Sequence, residues 1–296
     1  MMNENRLQAP RRSAQTLPRR NSLIMLLPAL FLSLFFAEAR GQEADQPPAQ
    51  SAQLRKELLS RLASGDEEQR IDAITQISAL PRDASDSDQL SVITALGNSL
   101  QHDASPVVRA LAARALGIAA GNQEHSQSAD IAVSALIDAI GKEREIAVRK
   151  AIIYALACFP QPQVTTALIP FLKDKKSELR AATAYALAEN HDPASAQALV
   201  EVLRRDGKDE DAFTRSQAAR GLGRIGERDA IDPLIRALTH DRSQEVRREA
   251  AQALGRIATR QDAKVIEALR GATLSNDPYL VSAAEDAIAS INAREL

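Results

Sequence analysis

The sequence predicts an all-α solenoid of about seven stacked helix pairs, and three observations predict it. One phrase returns along the chain: "DASPVVRALAARALGIAA" (103–120) and "DRSQEVRREAAQALGRIA" (241–258) set acid, arginine, paired alanines, leucine and glycine at matching places. An arginine followed seven residues later by an aliphatic side chain recurs as Arg70/Ile77, Arg109/Leu116, Arg149/Leu156, Arg180/Leu187, Arg215/Leu222 and Arg247/Leu254. Val281/Ile288 is a degenerate seventh copy, and the intervals of 39, 40, 31, 35, 32 and 34 residues are those of a stacked helical array. No stretch sustains the period-two alternation of a strand.

The chain opens on a different kind of sequence. Arg11, Arg12, Arg19 and Arg20 make a basic front, Leu23 to Phe36 is an apolar run of fourteen, and Ala37-Glu38-Ala39 has the small-x-small form of a signal-peptidase site. A spanning helix needs about 20 apolar residues, and this run is shorter and contains Pro28. The expectation is a secretory signal over 1–39, cleaved near Ala39. It makes the protein exported, periplasmic or extracellular in a bacterium, with no integral membrane segment after signal removal. Residues 40–53 are rich in Pro, Gln and Ala without periodicity and predict a flexible linker.

The solenoid then covers 54–292, in units of about 54–81, 87–121, 128–159, 162–190, 193–226, 228–258 and 261–292. The first helix of each unit is an apolar stripe ending in an acid, as in "VITALGNSLQHD" and "IDPLIRALTHD". Pro170 and Pro233 fall inside first helices and predict local kinks. The second helix starts after the acid. Ser105-Pro106 and Asp277-Pro278 put a capping side chain before a proline suited to the first turn.

With the arginine as position zero, positions −1, +3, +7 and +10 of a second helix share one apolar face, in the second unit Val108, Ala112, Leu116 and Ala119. Small residues at +3 and +4 allow close approach of neighbouring helices. Gly117, Gly223 and Gly255 either leave room for tight packing or relax a helix end. A single pair buries such a stripe poorly, so the core forms between units.

The arginine column predicts a structural ladder. Asp103, Glu143, Asp174 and Asp241 stand six residues before Arg109, Arg149, Arg180 and Arg247. Each guanidinium of the column, Arg70 and Arg215 included, is expected to bond an acid or loop carbonyls of its own or the adjacent unit. In the fifth unit Asp206 lies nine residues before Arg215, which implies a local insertion, and Val281 should end the row as a cap.

Composition narrows the function. Removal of 1–39 leaves 32 basic against 37 acidic side chains, the wrong sign for a nucleic-acid binder. The single cysteine, Cys158, excludes an internal disulfide and a cysteine-based metal site, and reads as a small buried residue near a helix end. His102, His125, His191 and His240 fall at helix ends or in loops without ligand spacing. No G-x-S-x-G or G-x-x-x-x-G-K-S/T occurs. No catalytic, cofactor-binding or metal residue is therefore expected, and no enzyme activity.

A partner surface is the positive expectation. Positions +1, +5 and +9 lie away from the apolar face and carry Arg114, Lys150, Tyr154, Tyr185, Arg220, Arg224, Arg248, Gln252 and Arg256. Aromatic residues among arginines have the composition of an interface hot spot, here for an acidic or extended protein partner. The same residues also suit a solvated face on which one tyrosine fills space against the other.

"VRALAARALGIAAG", "LRAATAYALAEN" and "VRREAAQALGRIA" resemble the HEAT-like repeats of the phycobilisome-lyase type, over about residues 52–292. The resemblance implies a right-handed, curved α-solenoid, first helices outside and second helices lining the concave face. It implies a non-catalytic scaffold or adaptor binding along that face, with a lyase- or chaperone-like accessory factor acting on a protein-bound cofactor as the alternative. The iron-binding HEAT hydroxylases carry His-Glu pairs at the start of second helices. Here those places read Ser216-Gln217 and Arg248-Glu249, so that site does not carry over. HEAT-type DNA glycosylases need a basic groove with aromatic groups to hold a base. The chain after residue 39 is acidic and has three Phe and three Tyr.

Overall fold

The computed structural model describes residues 48–80, 86–121, 126–205 and 211–294. The expected signal, residues 40–47 of the expected linker, His125 and Asp206 lie outside the described residues. Fourteen α-helices and no strand occur among those described. The first helices of the seven pairs are α1 (Pro48–Ser64), α3 (Asp86–His102), α5 (Gln127–Lys142), α7 (Pro162–Leu168), α9 (Ala196–Leu203), α11 (Ile231–His240) and α13 (Ala263–Ala272). The second helices are α2 (Glu67–Ala79), α4 (Pro106–Ala120), α6 (Ile146–Leu156), α8 (Ser177–Asn190), α10 (Ala212–Ile225), α12 (Gln244–Ile257) and α14 (Pro278–Ala293). Each packs against its own partner and against its counterparts in adjacent units, the arrangement of an α-solenoid.

Helix ends follow local chemistry. Ser105 Oγ accepts the Val108 N–H and Asp277 accepts the Tyr279 N–H, each just before a proline at the first helical turn. Two expectations need correction, and the disruption expected at Pro170 takes a specific form. Residues 48–53 belong to α1 rather than to a linker: Pro48 opens the helix, and Ala and Gln extend it at little conformational cost. At Pro170 the α-helix gives way to a 3-10 turn, Ile169–Lys173, because proline has no N–H for the carbonyl four residues back. Pro233 is the third residue of α11, where a helix leaves its N–H groups unused anyway, so no mid-helix kink arises there.

The core lies between units. Leu116, Leu156, Leu187, Leu222 and Leu254 are all fully buried, as are Val108 and Ala112. Ala119 is only half-buried, and Ala120, a further 100° around the helix, is buried in its place.

The glycines serve close packing. A Cβ on Gly117 would lie 3.1 Å from the Cα of Ala155; on Gly223 or Gly255 it would lie 2.7 Å from the Cα of Ala253 or Ala287. Gly221 meets Ala188 in the converse arrangement, at 3.0 Å. The second helices thus touch backbone to backbone and contact one another more extensively than the larger-faced first helices do. The second helices are the layer that the resemblance expects on the concave side.

Candidate functional site

The arginine column forms the frame of this layer. Arg70 donates to both carboxylate oxygens of Asp103, at 2.7 and 3.1 Å; Arg109 does so to Glu143 at 2.7 and 3.2 Å, and Arg215 to Asp241 at 2.7 and 3.0 Å. Arg149 gives one bond to Asp174, at 3.0 Å, and lies over the Phe171 ring at 5.2 Å. Every one of these acids belongs to the following unit. Toward its own unit the arginine uses a main-chain acceptor instead: Arg109 Nη1 donates to the Asp103 carbonyl at 2.9 Å and Arg180 Nη1 to that of Asp174 at 3.0 Å.

The acids do a second job. Asp103, Glu143, Asp174 and Asp241 accept the main-chain N–H two residues on, from Ser105, Glu145, Lys176 and Ser243. Each therefore closes its own turn and clamps the preceding unit. Burial pushes the Glu143 carboxyl up, but the Arg109 bond and the N–H groups of Glu145 and Arg144 outweigh it and hold it below its ordinary value. The Arg109 guanidinium is raised, chiefly by its bond to Glu143.

Two positions depart from the expected ladder. The acid facing Arg180 is Asp211, at 4.0 Å; it stands four residues before Arg215 and caps α10 by accepting the Thr214 N–H. Arg247 has no acid within ion-pair distance among the described residues, and its Nε is buried without a partner, as is Asp277 Oδ2. Val281 supplies no further cation, so the paired row ends at Arg215.

The stripe at +1, +5 and +9 holds one connected run of contacts from α6 to α10 and a separate pair between α12 and α14. Tyr154 and Tyr185 meet edge to face, their ring centroids 5.6 Å apart and their planes at 75°. The Arg220 guanidinium lies 5.4 Å over the Tyr185 ring and also pairs with Glu189. Arg224 reaches the other oxygen of Glu189 at 2.7 Å and the Ala188 carbonyl at 3.3 Å. Arg248 lies 5.4 Å over the ring of Tyr279 in the next unit. Arg114, Arg224, Gln252 and Arg256 are exposed; Lys150, Tyr154, Tyr185, Arg220 and Arg248 are half-buried.

Burial raises both Tyr154 and Tyr185, the latter helped by Glu189. Glu249, half-buried on the same layer, is also raised by burial, against the opposing fields of Arg220, Arg256 and Arg248. The stripe is consequently less basic than its arginines alone suggest. Glu189 engages two of them and Glu249 stands among the rest. Arg114, Arg248 and Arg256 have no acid within ion-pair distance among the described residues.

One column escaped the sequence reading. Position −2 lies seven residues, two helical turns, before +5 and so on the same face. It carries Val107, Phe213 and Tyr279, which are 51%, 44% and 71% exposed, and Ile118 at +9 is 37% exposed. These are four of the five large hydrophobic side chains exposed among the described residues, so the exposed apolar surface is concentrated on the second-helix layer. The repeat alignment that displays +5 displays −2 equally well. Cys158, expected to be buried, is half-buried at +9 in the third unit, on this same face.

The described histidines lie outside the stripe, His191 touching it only through its Nδ1 at 2.8 Å from the Glu189 carbonyl. His102 and His240 are exposed at the ends of α3 and α11, and His191 takes a left-handed conformation that stops α8. Among the described residues no three His, Cys, Asp or Glu side chains are grouped to hold a metal ion, and no helix is long and apolar enough to cross a membrane.

Comparison with known proteins gives a family and a fold. The family model for HEAT repeats matches residues 93–164, 133–212 and 207–289. Among solved structures, the Escherichia coli protein YibA is similar at 19% identity and a TM-score of 0.51, over 86% of this chain and 99% of that one. An engineered protein aligns at 24% identity and a TM-score of 0.41, over 81% and 97%. Human deoxyhypusine hydroxylase, in a complex with glycerol, aligns at 17% identity and a TM-score of 0.34, over 82% and 98%. Only the first is close enough in shape to bear on the fold. A search of curated protein sequences gives no significant match.

Proposed function

The chain belongs to the HEAT repeat proteins, and from that premise we propose that it is a non-catalytic scaffold or adaptor that docks a protein partner along its second helices, centred on Tyr154 and Tyr185. The observation that carries this reading is the continuous run of contacts from Tyr154 through Tyr185 and Arg220 to Glu189 and Arg224. Aromatic rings locked by neighbours lose little entropy on binding, which suits them as anchors. The partner in this reading is an acidic or extended polypeptide, met by Arg114, Arg248 and Arg256. The phycobilisome-lyase type of the repeat, and action in the bacterial envelope or outside the cell after cleavage near Ala39, belong to the same proposal.

The test pairs capture with loss. Tagged protein recovered from the native envelope fraction should bring down one stoichiometric partner, and Tyr154→Ala with Tyr185→Ala should release it while circular dichroism stays unchanged. Turnover of a small molecule by pure protein, or a partner retained by the double variant, would overturn the reading.

A further inference from the structure

We infer that the fourth unit holds an internal water site, formed by the side chains of Gln161, Thr165, Asn190 and Asp192. The repeat points to it first. Position +10 of a second helix belongs to the apolar face and reads Leu80, Ala119, Phe159, Asn190, Ile225, Ile257 and Ile291. Asn190 is the one polar side chain of that column, and it is only 7% exposed. Among the described residues, neither its amide nitrogen nor its amide oxygen has a hydrogen-bond partner.

The antiparallel pair brings three more such groups to the same end. The start of α7 lies beside the end of α8, and the turn Pro193–Ser195 that follows α8 packs against α7. Both amide atoms of Gln161 and the hydroxyl of Thr165 are buried there, also without a partner among the described residues. Thr165 is only 1% exposed, and it stands one helical turn after Gln161. Asp192 uses Oδ1 to accept the Ala194 N–H at 3.0 Å, while its Oδ2 is buried and unbonded. The arginine ladder gathers at the other end of the pair, where α8 begins. The site therefore does not rest on the ladder or on the docking proposed above.

The chemistry of these atoms selects the occupant. Buried polar atoms left unbonded are destabilising, and six of them at one end of a helix pair ask for a partner. Gln161 Nε2 and Asn190 Nδ2 donate, the two amide oxygens and Asp192 Oδ2 accept, and the Thr165 hydroxyl does either. A cation would face the two amide NH2 groups, and an anion would face the carboxylate. Water both donates and accepts, and at about three hydrogen bonds each, about two molecules satisfy the set.

Oxygen-17 magnetic relaxation dispersion on the full-length protein tests this, because it counts waters whose residence outlasts molecular tumbling. Asn190→Ile gives the column the residue that the fifth, sixth and seventh units carry, and Thr165→Val removes a hydroxyl at nearly constant volume. The double variant should lose about two long-lived waters relative to the parent. A crystal structure of the parent should show these waters bonded to Gln161, Thr165 and Asn190, which decides the matter even if the double variant does not fold. Equal dispersion in parent and variant overturns the inference, as does a crystal structure in which the six atoms bond one another with no water among them. A melting temperature raised by millimolar calcium or potassium in the parent, and not in the variant, overturns it too, in favour of a cation site.

Discussion

Arg215 and Asp241 join consecutive units through two parallel hydrogen bonds at 2.7 and 3.0 Å, with side chains only 6% and 2% exposed. This is the most buried rung of the ladder, and the stake there is asymmetric. Removing one partner strands a buried charge, which costs about 3–5 kcal/mol, whereas replacing both by apolar groups of similar volume is often neutral. Asp241→Leu alone should therefore lower the urea midpoint sharply, and Arg215→Met with Asp241→Leu should recover most of the loss. The recovery is bounded, because Asp241 also accepts the Ser243 N–H at the turn. Additive effects of the two changes would show that the rung is not a coupled pair.

The glycines give a graded series. Alanine at Gly223 or Gly255 places a methyl 2.7 Å from a backbone carbon of the next helix, and α10, α12 and α14 must move apart to admit it. Such overpacking costs about 1–3 kcal/mol. At Gly117 the clearance is 3.1 Å and Ala155 has only to shift slightly, while alanine gains about 1 kcal/mol of helix propensity over glycine. Thermal denaturation should rank Gly223→Ala and Gly255→Ala well below the parent and Gly117→Ala near it. Equal effects at all three would mean that helix propensity, not close approach, governs these positions.

These two cases also mark how far the sequence could be read. Stacked helix pairs follow from the recurring Arg/Leu spacing, because a 3.6-residue apolar stripe of small side chains has few other ways to be buried. The arginine column is equally visible, but its register is not. Six residues separate Asp103 from Arg109, and nothing in that spacing says that the carboxylate turns back to Arg70 while its carbonyl takes Arg109. Asp211 illustrates the same gap, since counting back from Arg215 selects Asp206, whereas the structure pairs Arg180 with the helix-capping acid. On the second-helix layer, Tyr154 and Tyr185 stand out by residue type, but the engagement of Arg220 and Arg224 by Glu189 depends on side-chain reach across two helices.

Acid should loosen the ladder in a defined window. Glu143 has a folded pKa below its ordinary value, so protonation favours the unfolded chain. Its contribution is complete above the unfolded glutamate value of about 4.3 and is lost as pH falls through the lower folded value. Glu143→Gln should be less stable than the parent at neutral pH and should show a shallower decline below about pH 4.3. Urea midpoints measured from pH 3 to 7 for both proteins decide this, and parallel curves would exclude Glu143 as a contributor.

The two tyrosines should separate kinetically. Tyr154 touches the stripe through an edge-to-face contact with Tyr185, so Tyr154→Ala removes an anchor without releasing a charge. Tyr185 also supports the Arg220 guanidinium, and Tyr185→Ala frees Arg220 to turn away from the groove or to lean wholly on Glu189. An anchor acts after encounter and appears in the dissociation rate, whereas a displaced cation alters steering and appears in the association rate and its salt dependence. With the captured partner in surface plasmon resonance, Tyr154→Ala should speed dissociation at unchanged association. Tyr185→Ala should change both, and the pair together should cost about 2 kcal/mol or more if they form the hot spot. Tyr185→Phe retains the ring under Arg220 and should restore the association rate. If Tyr185→Phe is as impaired as Tyr185→Ala, the phenol hydroxyl and not the stacked arginine is what the partner reads.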